Sequence, residues 1–273
     1  MTTTLRPVEP LQDHADGTRS RRYRVCVNGR PVGGLVVSTH PHYGPAVARF
    51  ADLHIDEPDR GRGRGTVAVL AAEEIARGWG CGRAEVSVPG DSAAALRLAT
   101  ALGYAVRSRN LTKRLTGTPA PLPPGSAVRP MTEAEFGPWR AEVGERYTRG
   151  LTSSGVPESQ ADARWDASRK ALLPDGLATE DARVSVLEHG GSPVGMLWLG
   201  LWARTAFVLD VATRPEHRGR GHGRTLMLLA EAQAAEAGRE HIGLNVFAGN
   251  VPAERLYASL GYETEAYHLH KFL

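Results

Sequence analysis

Two cysteines in 273 residues, Cys26 and Cys81, are too few for a disulfide framework. A reducing compartment is the simpler reading. Long apolar runs are missing too. The most apolar stretch, residues 196–202, is far too short to span a bilayer. Residues 1–10 have no apolar core of the kind a signal peptide carries. These absences point to a cytoplasmic protein with no membrane partner. Charge of one sign is also scarce. The formal net charge of +3 permits an anionic ligand but gives no reason to expect bulk nucleic-acid binding. Aromatic residues make up 6% of the chain, and the basic runs lack the neighbouring rings on which single-stranded nucleic acid stacks. His217, His222, His268 and His270 show no metal-ligand spacing with cysteines or carboxylates, so no metal site is expected.

What the sequence does contain is a repeat. Arg60-Gly61-Arg62-Gly63-Arg64-Gly65 returns 158 residues later as Arg218-Gly219-Arg220-Gly221-His222-Gly223. From 60 to 104 the shift matches 17 of 45 positions without a gap, ending in Leu102-Gly103-Tyr104 and Leu260-Gly261-Tyr262. Leu111, Lys113 and Leu115 fall on Leu269, Lys271 and Leu273 in the same register. Two long copies mean duplicated domains rather than a solenoid. Residues 116–126 contain four prolines, which preclude helix and favour an extended spacer. The expected division is therefore a first domain over 1–117, a proline-rich linker over 118–126 and a second domain over 127–273.

Each copy reads as strands followed by helix, strand, helix and strand, an α/β pattern with a mixed sheet. In the first, Asn28-Gly29 marks a hairpin between strands near 23–27 and 35–37. A further strand covers 46–55, and helices are expected over 63–77 and 92–102, the latter stopped by Gly103. In the second, Thr132 and Glu135 form a capping-box pattern opening a helix to about 147. A second helix is expected over 158–172, a hairpin around Gly190-Gly191, and a strand over 206–213.

A glycine turn between strand and helix is a ready anion site. The helix N-terminus offers unpaired N–H groups and partial positive charge. Glycine lets the backbone come close to phosphate oxygens, and the interleaved arginines add charge. Alone, such a run is equally a solvated basic loop or a disordered RNA-binding segment. Its position, twice between a strand and an amphipathic helix, favours phosphate.

The stretch from Thr213 to Gly223 resembles the acetyl-CoA loop of the GNAT superfamily of N-acetyltransferases. Arg218, Gly221 and Gly223 satisfy the family pattern Arg/Gln-x-x-Gly-x-Gly/Ala. The family's later block is similar to Asn250, Leu256-Tyr257 and Leu260-Gly261-Tyr262. The likeness covers nearly all of 127–273 and, more weakly, about 20–115; tandem arrangements occur in the family. The resemblance implies two tandem GNAT-like domains and acetyl-CoA as cosubstrate. It implies that the pyrophosphate sits on the amides of Gly219, Arg220, Gly221, His222, Gly223 and Arg224, with Arg218 and Asn250 nearby. Pantetheine is implied to pair like an added strand with Val211, Ala212 and Thr213, where an N–H polarises the thioester carbonyl. Tyr257 falls at the family's general-acid position; it also reads as a packing tyrosine. Asp210 is a candidate base and equally a structural carboxylate, since Asp52 takes its place in the first copy. Glu142 and Glu145 could bind a cationic acceptor or simply face solvent.

The copies are not equivalent. Ala99 stands where Tyr257 does, Ser92 where Asn250 does, and Glu57 where Pro215 does. Nothing in the first copy matches residues 131–172. The expectation is an N-acetyltransferase active in its second domain, acting by direct attack of a primary amine of a small molecule or peptide. The alternative is a coenzyme A-binding, non-catalytic regulatory module.

Overall fold

In the computed structural model, which describes residues 2–15, 17–153 and 156–273, the chain starts with β1 (Thr3–Pro7) and β2 (Gln12–Asp13). Both pair antiparallel with β3 (Arg19–Val27). Asn28 and Gly29 take positive φ, 49° and 86°, as a tight hairpin turn between β3 and β4 (Arg30–His40) requires. Next come β5 (Gly44–Ile55), α1 (Arg64–Gly78), β6 (Arg83–Pro89), α2 (Ala93–Ala101) and β7 (Ala105–Arg114). The expected helices over 63–77 and 92–102 are thus present to within a residue.

After the spacer, β8 (Ser126–Pro130) leads into α3 (Glu133–Thr152) and α4 (Glu158–Leu172). The Glu135 carboxylate accepts from the Thr132 amide at 3.0 Å and its hydroxyl at 2.8 Å, which fixes the start of α3. The helix runs five residues past its expected end at 147. Two of its glycines, poor helix formers, are required by packing: a Cβ at Gly144 would lie 2.7 Å from the Trp165 ring, and one at Gly150 would lie 2.8 Å from Phe247. Then β9 (Ala182–His189), β10 (Ser192–Leu201), β11 (Thr205–Thr213), α5 (His222–Glu236), β12 (His241–Phe247), α6 (Val251–Ser259) and β13 (Glu263–Phe272) repeat the first order. Both helices and the strand between them recur residue for residue at the 158-residue shift.

The chain forms two compact units, residues 1–109 with 266–273, and residues 110–265. In the first, the strand order is β1-β3-β4-β5-β6 and then the end of β13, which runs antiparallel to β6 from Ala266↔Pro89 to Phe272↔Arg83. In the second, the end of β7 lies beside β12, followed by β11-β10-β9-β8. The equivalent last strands are therefore exchanged. Leu269 is buried in the core of the first unit with Val37, Phe50 and Ala72. Leu111 is buried in that of the second with Leu197, Leu226 and Ile242. Each such leucine contributes about 1.5–3 kcal/mol by leaving water. Lys271 meets Glu73 at 2.8 Å, and Lys113 meets Glu231, its repeat counterpart, at 2.8 Å. A division in the proline-rich spacer differs from this: 110–117 belong to the second unit and 266–273 to the first. The spacer is also not a bare linker, for its Leu122 packs against the second core, as does Leu115 just before it. A separate cluster around Trp139, Trp198 and Val186 joins α3 to β9 and β10.

Candidate active site

The site of the second unit begins with how β11 is paired. Its first residues run parallel to β12, from Thr205↔His241 to Val208↔Leu244, and the pairing stops there. On its other edge β11 stays paired with β10, but the register slips between Trp198 and Leu199, so that Leu209 is the extra residue. A bulge bends and twists its strand. Beyond it, the β12-facing edge of β11 is open along Asp210–Thr213. Opposite Thr213 lies Gly195, where a Cβ would stand 2.8 Å from both the Ala212 carbonyl oxygen and Leu226. No sequence expectation singled out Gly195. The available signal was Pro31-Val32-Gly33 recurring as Pro193-Val194-Gly195; Gly33 meets the same constraint against the His54 carbonyl.

From Thr213 the chain passes through a 3-10 turn, Pro215–His217, into the glycine loop. Gly219 (φ 75°) and Gly221 (φ 85°) are left-handed, a conformation that other residues rarely adopt. The Gly221 carbonyl accepts from the amides of both Arg224 and Thr225. The amides of Gly221, His222 and Gly223 precede any intrahelical acceptor and point off the end of α5. An ideal Cβ at Gly223 would come within 3.8 Å of the Thr213 hydroxyl, so the open strand edge and the open helix end lie close together. Arg224 donates to Ser259 at 2.5 Å, tying the start of α5 to the end of α6. Asn250 caps α6, its side chain accepting from the Ala253 amide at 3.3 Å.

Tyr257, on α6, is 6% exposed, its ring 5.9 Å from that of Tyr262. Burial, and then the Asp210 carboxylate, push its hydroxyl pKa up to about 12. At neutral pH it is a proton-bearing donor. Asp210 is not alone: Arg146 of α3 donates to both its oxygens, at 2.9 and 2.8 Å. The sequence expectation lacked Arg146, which is one of many arginines and carries no local motif. Glu142 lies 3.8 Å from Arg146 as its partner one turn away. Glu145 instead lines a cavity of about 470 Å³ between α3 and α4, with Arg149, Glu158, Asp162 and Trp165. Among the described residues, no His, Cys, Asp and Glu side chains are grouped so as to hold a metal ion. No helix among them is long and apolar enough to cross a membrane.

The first unit repeats the frame with different residues at several of these positions. Its β5 leaves β6 after Phe50↔Val86, and Gly61 and Gly63 are again left-handed. Ala99 is buried where Tyr257 is, and Ser92 makes no side-chain cap. Where His217 and His222 stand in the second unit, the first has Asp59 and Arg64, a buried ion pair.

Comparison with known proteins agrees with this geometry. The model of the acetyltransferase (GNAT) family matches residues 2–104 and again 148–262. A mycothiol acetyltransferase of Thermobispora bispora is 30% identical over 266 residues, covering 91% of this chain and 88% of that protein. One of Thermomonospora curvata is 28% identical, covering 83% and 75%. A crystal structure of a GCN5-related N-acetyltransferase from Sphaerobacter thermophilus shares the fold, with a TM-score of 0.60 at 22% identity over 92% of this chain and 80% of that one. The chain belongs to the acetyltransferase (GNAT) family, with two such domains in tandem. It is an acetyl-CoA-dependent N-acetyltransferase.

Proposed function

We propose that acetyl transfer takes place in the second unit, to a primary amine of a small molecule or peptide. One observation carries this reading: among the described residues, only there do an open strand edge and a glycine-capped helix end come with a buried tyrosine on the following helix, Tyr257, where the first unit has Ala99. Acetyl-CoA supplies an activated acyl group as a thioester. Arg218 and the amides of Gly219–Arg224 suit its pyrophosphate, and backbone groups of Val211, Ala212 and Thr213 suit an extended chain laid along β11. Asn250 supports this surface by fixing α6. A β11 N–H polarises the carbonyl. The amine nitrogen attacks the carbonyl carbon directly, the C–S bond breaks, and the proton lost by nitrogen ends on sulfur or water. Tyr257 donates a hydrogen bond to the departing sulfur.

Asp210 enters this account as a positioning carboxylate rather than the base. Both of its oxygens already accept from the Arg146 guanidinium, a geometry that suits holding rather than proton abstraction. Its pair with Arg146 holds α3 against β11. An amine that arrives neutral, or loses its proton to water, needs no dedicated residue.

The acceptor of mycothiol acetyltransferases is the first to assay, given relatives of matching length. Thiol release from acetyl-CoA across that acceptor, aminoglycosides, polyamines and free peptide N-termini tests the reading. Acetylation that survives Gly221→Asp in a folded protein would rule the second unit out.

A further inference from the structure

On the sheet of the first unit, a cavity of about 280 Å³ is lined by Arg22, Arg24, Asp52, His54 and Asp56. Arg24 pairs with Gly34 and Gly34 with His54, so the three stand in one cross-strand row on one face. Gly34 leaves the middle of the row unfilled, and a Cβ there would lie 3.1 Å from the His54 ring. Neighbouring strands lie about 4.8 Å apart, so Arg24 and His54 flank a gap of about 10 Å. Two guanidiniums and two carboxylates share this cavity. Among the described residues, none of the four makes an ion pair. The Glu9 carboxylate takes the main-chain amide of Arg22, at 3.3 Å. Opposite charges that line one small cavity without closing on each other leave room for a ligand carrying both signs.

The internal repeat shows why the place is open. Aligned on the two hairpins, whose strand registers agree, Arg22, Arg24 and Gly34 correspond to Val184, Val186 and Met196. In the second unit those three are apolar and belong to the cluster around Trp139 of α3. The first unit has no counterpart of that helix, and the bed beneath it consists of two arginines and a glycine. Asp52 corresponds to Asp210, whose two oxygens accept from Arg146 of α3. With no such helix, Asp52 lacks that guanidinium. The cavity stands where the second unit places α3, and the Asp52 carboxylate faces it without a cation.

We propose that this cavity binds a free α-amino acid with an aliphatic side chain. Arg22 and Arg24 take its carboxylate, since guanidiniums give charge-assisted hydrogen bonds to such a group. Its ammonium brings three N–H donors. Asp52 and Asp56 offer two acceptors, and His54 offers the third. The His54 Nδ1 lies 3.1 Å from the Asp52 carbonyl oxygen, to which it donates, so in the neutral ring Nε2 is an acceptor. Val8 and Pro31 add an apolar surface for the side chain. The five polar groups are exposed, so each contact is weak by itself. Affinity comes from meeting both charges at once, and a Kd of about 1 mM is expected. The site shares no residue with the glycine loops and does not depend on which unit carries out acetyl transfer.

The test titrates L-leucine into the full chain, by calorimetry and by following the His54 ring by NMR. Isocaproate and isoamylamine serve as controls, because they keep the aliphatic end of leucine and carry only its carboxylate or only its ammonium. The expected results are leucine binding that shifts the His54 resonances, with each control at least about tenfold weaker. Asp52→Asn, a change tolerated at φ 53°, and Arg24→Met should each weaken leucine binding by at least about tenfold. No leucine binding up to about 20 mM overturns the proposal. So does either control binding as tightly as leucine, which would make this a site for a single charge. Unchanged leucine affinity in both variants, folded by circular dichroism, overturns it as well.

Discussion

Replacing Tyr257 by Phe removes one hydroxyl from a buried ring and leaves the packing against Tyr262 in place. Fold and acetyl-CoA affinity should therefore be unchanged, and the effect should fall on turnover. Its size follows from acid strength. General-acid contributions run to roughly 10²–10⁴-fold when the donor is matched to its task. Tyr257, at about 12, is a weaker acid than a departing thiol of about 8.5. Complete transfer of its proton to the thiolate is uphill, so its contribution is mostly a hydrogen bond made as sulfur gains charge. We expect kcat to fall about 10- to 100-fold, near the lower end of that range, which corresponds to about 1.4–2.7 kcal/mol. The same shift predicts a flat alkaline limb. A tyrosine of ordinary pKa would lose its proton near 10, whereas Tyr257 keeps it, so kcat should not decline between about pH 8 and 10 on its account. The assay is thiol release under saturating acetyl-CoA and acceptor, with binding measured separately. Wild-type kcat in the variant would make Tyr257 a packing residue and refute this reasoning.

Three further outcomes follow from particular contacts. Arg129 and the Thr132 amide hold the Glu135 carboxyl pKa down to about 2 from 4.5. Stability from a lowered carboxyl is present above 4.5 and is lost as pH falls toward 2; Glu135→Gln should cost about 1–2 kcal/mol at neutral pH, with the deficit closing over that window in urea titrations. Deleting residues 266–273 should raise hydrogen exchange in β6 and α1 of the first unit while leaving α5 protected, since it removes Leu269 and leaves Glu73 buried without Lys271; equal deprotection of both units would contradict the strand exchange. Asp210→Asn and Arg146→Met should each raise the acceptor KM and lower thermal stability without changing the acidic limb of the kcat profile; loss of that limb in Asp210→Asn alone would make Asp210 the base.

Much of the frame was legible because it rests on local chemistry. The hairpin at Asn28-Gly29, the Thr132–Glu135 cap and the glycine loop each signal a backbone shape within a few residues. The strand exchange was not legible for a definite reason. Leu111 and Lys113 carry the same residues as Leu269 and Lys271, and Glu73 matches Glu231. Either strand satisfies either unit, so the sequence pattern is silent about which pairs where. The pairing of Arg146 with Asp210, 64 residues apart, is likewise tertiary. The extra length of α3 came from packing as well, because Gly144 and Gly150 oppose helix by propensity and are required by Trp165 and Phe247.

The central claim is that the second unit holds the cosubstrate and the first does not contribute to catalysis. Acetyl-CoA titrations by calorimetry on Gly221→Asp and Gly63→Asp test it most directly. Both changes fall at left-handed positions, φ 85° and 71°, where aspartate is among the better tolerated residues. Each places a carboxylate at its loop. The account predicts that Gly221→Asp abolishes tight binding, whereas Gly63→Asp leaves it within a few-fold of wild type. Tight binding retained in a folded Gly221→Asp protein, or lost in a folded Gly63→Asp protein, would contradict it.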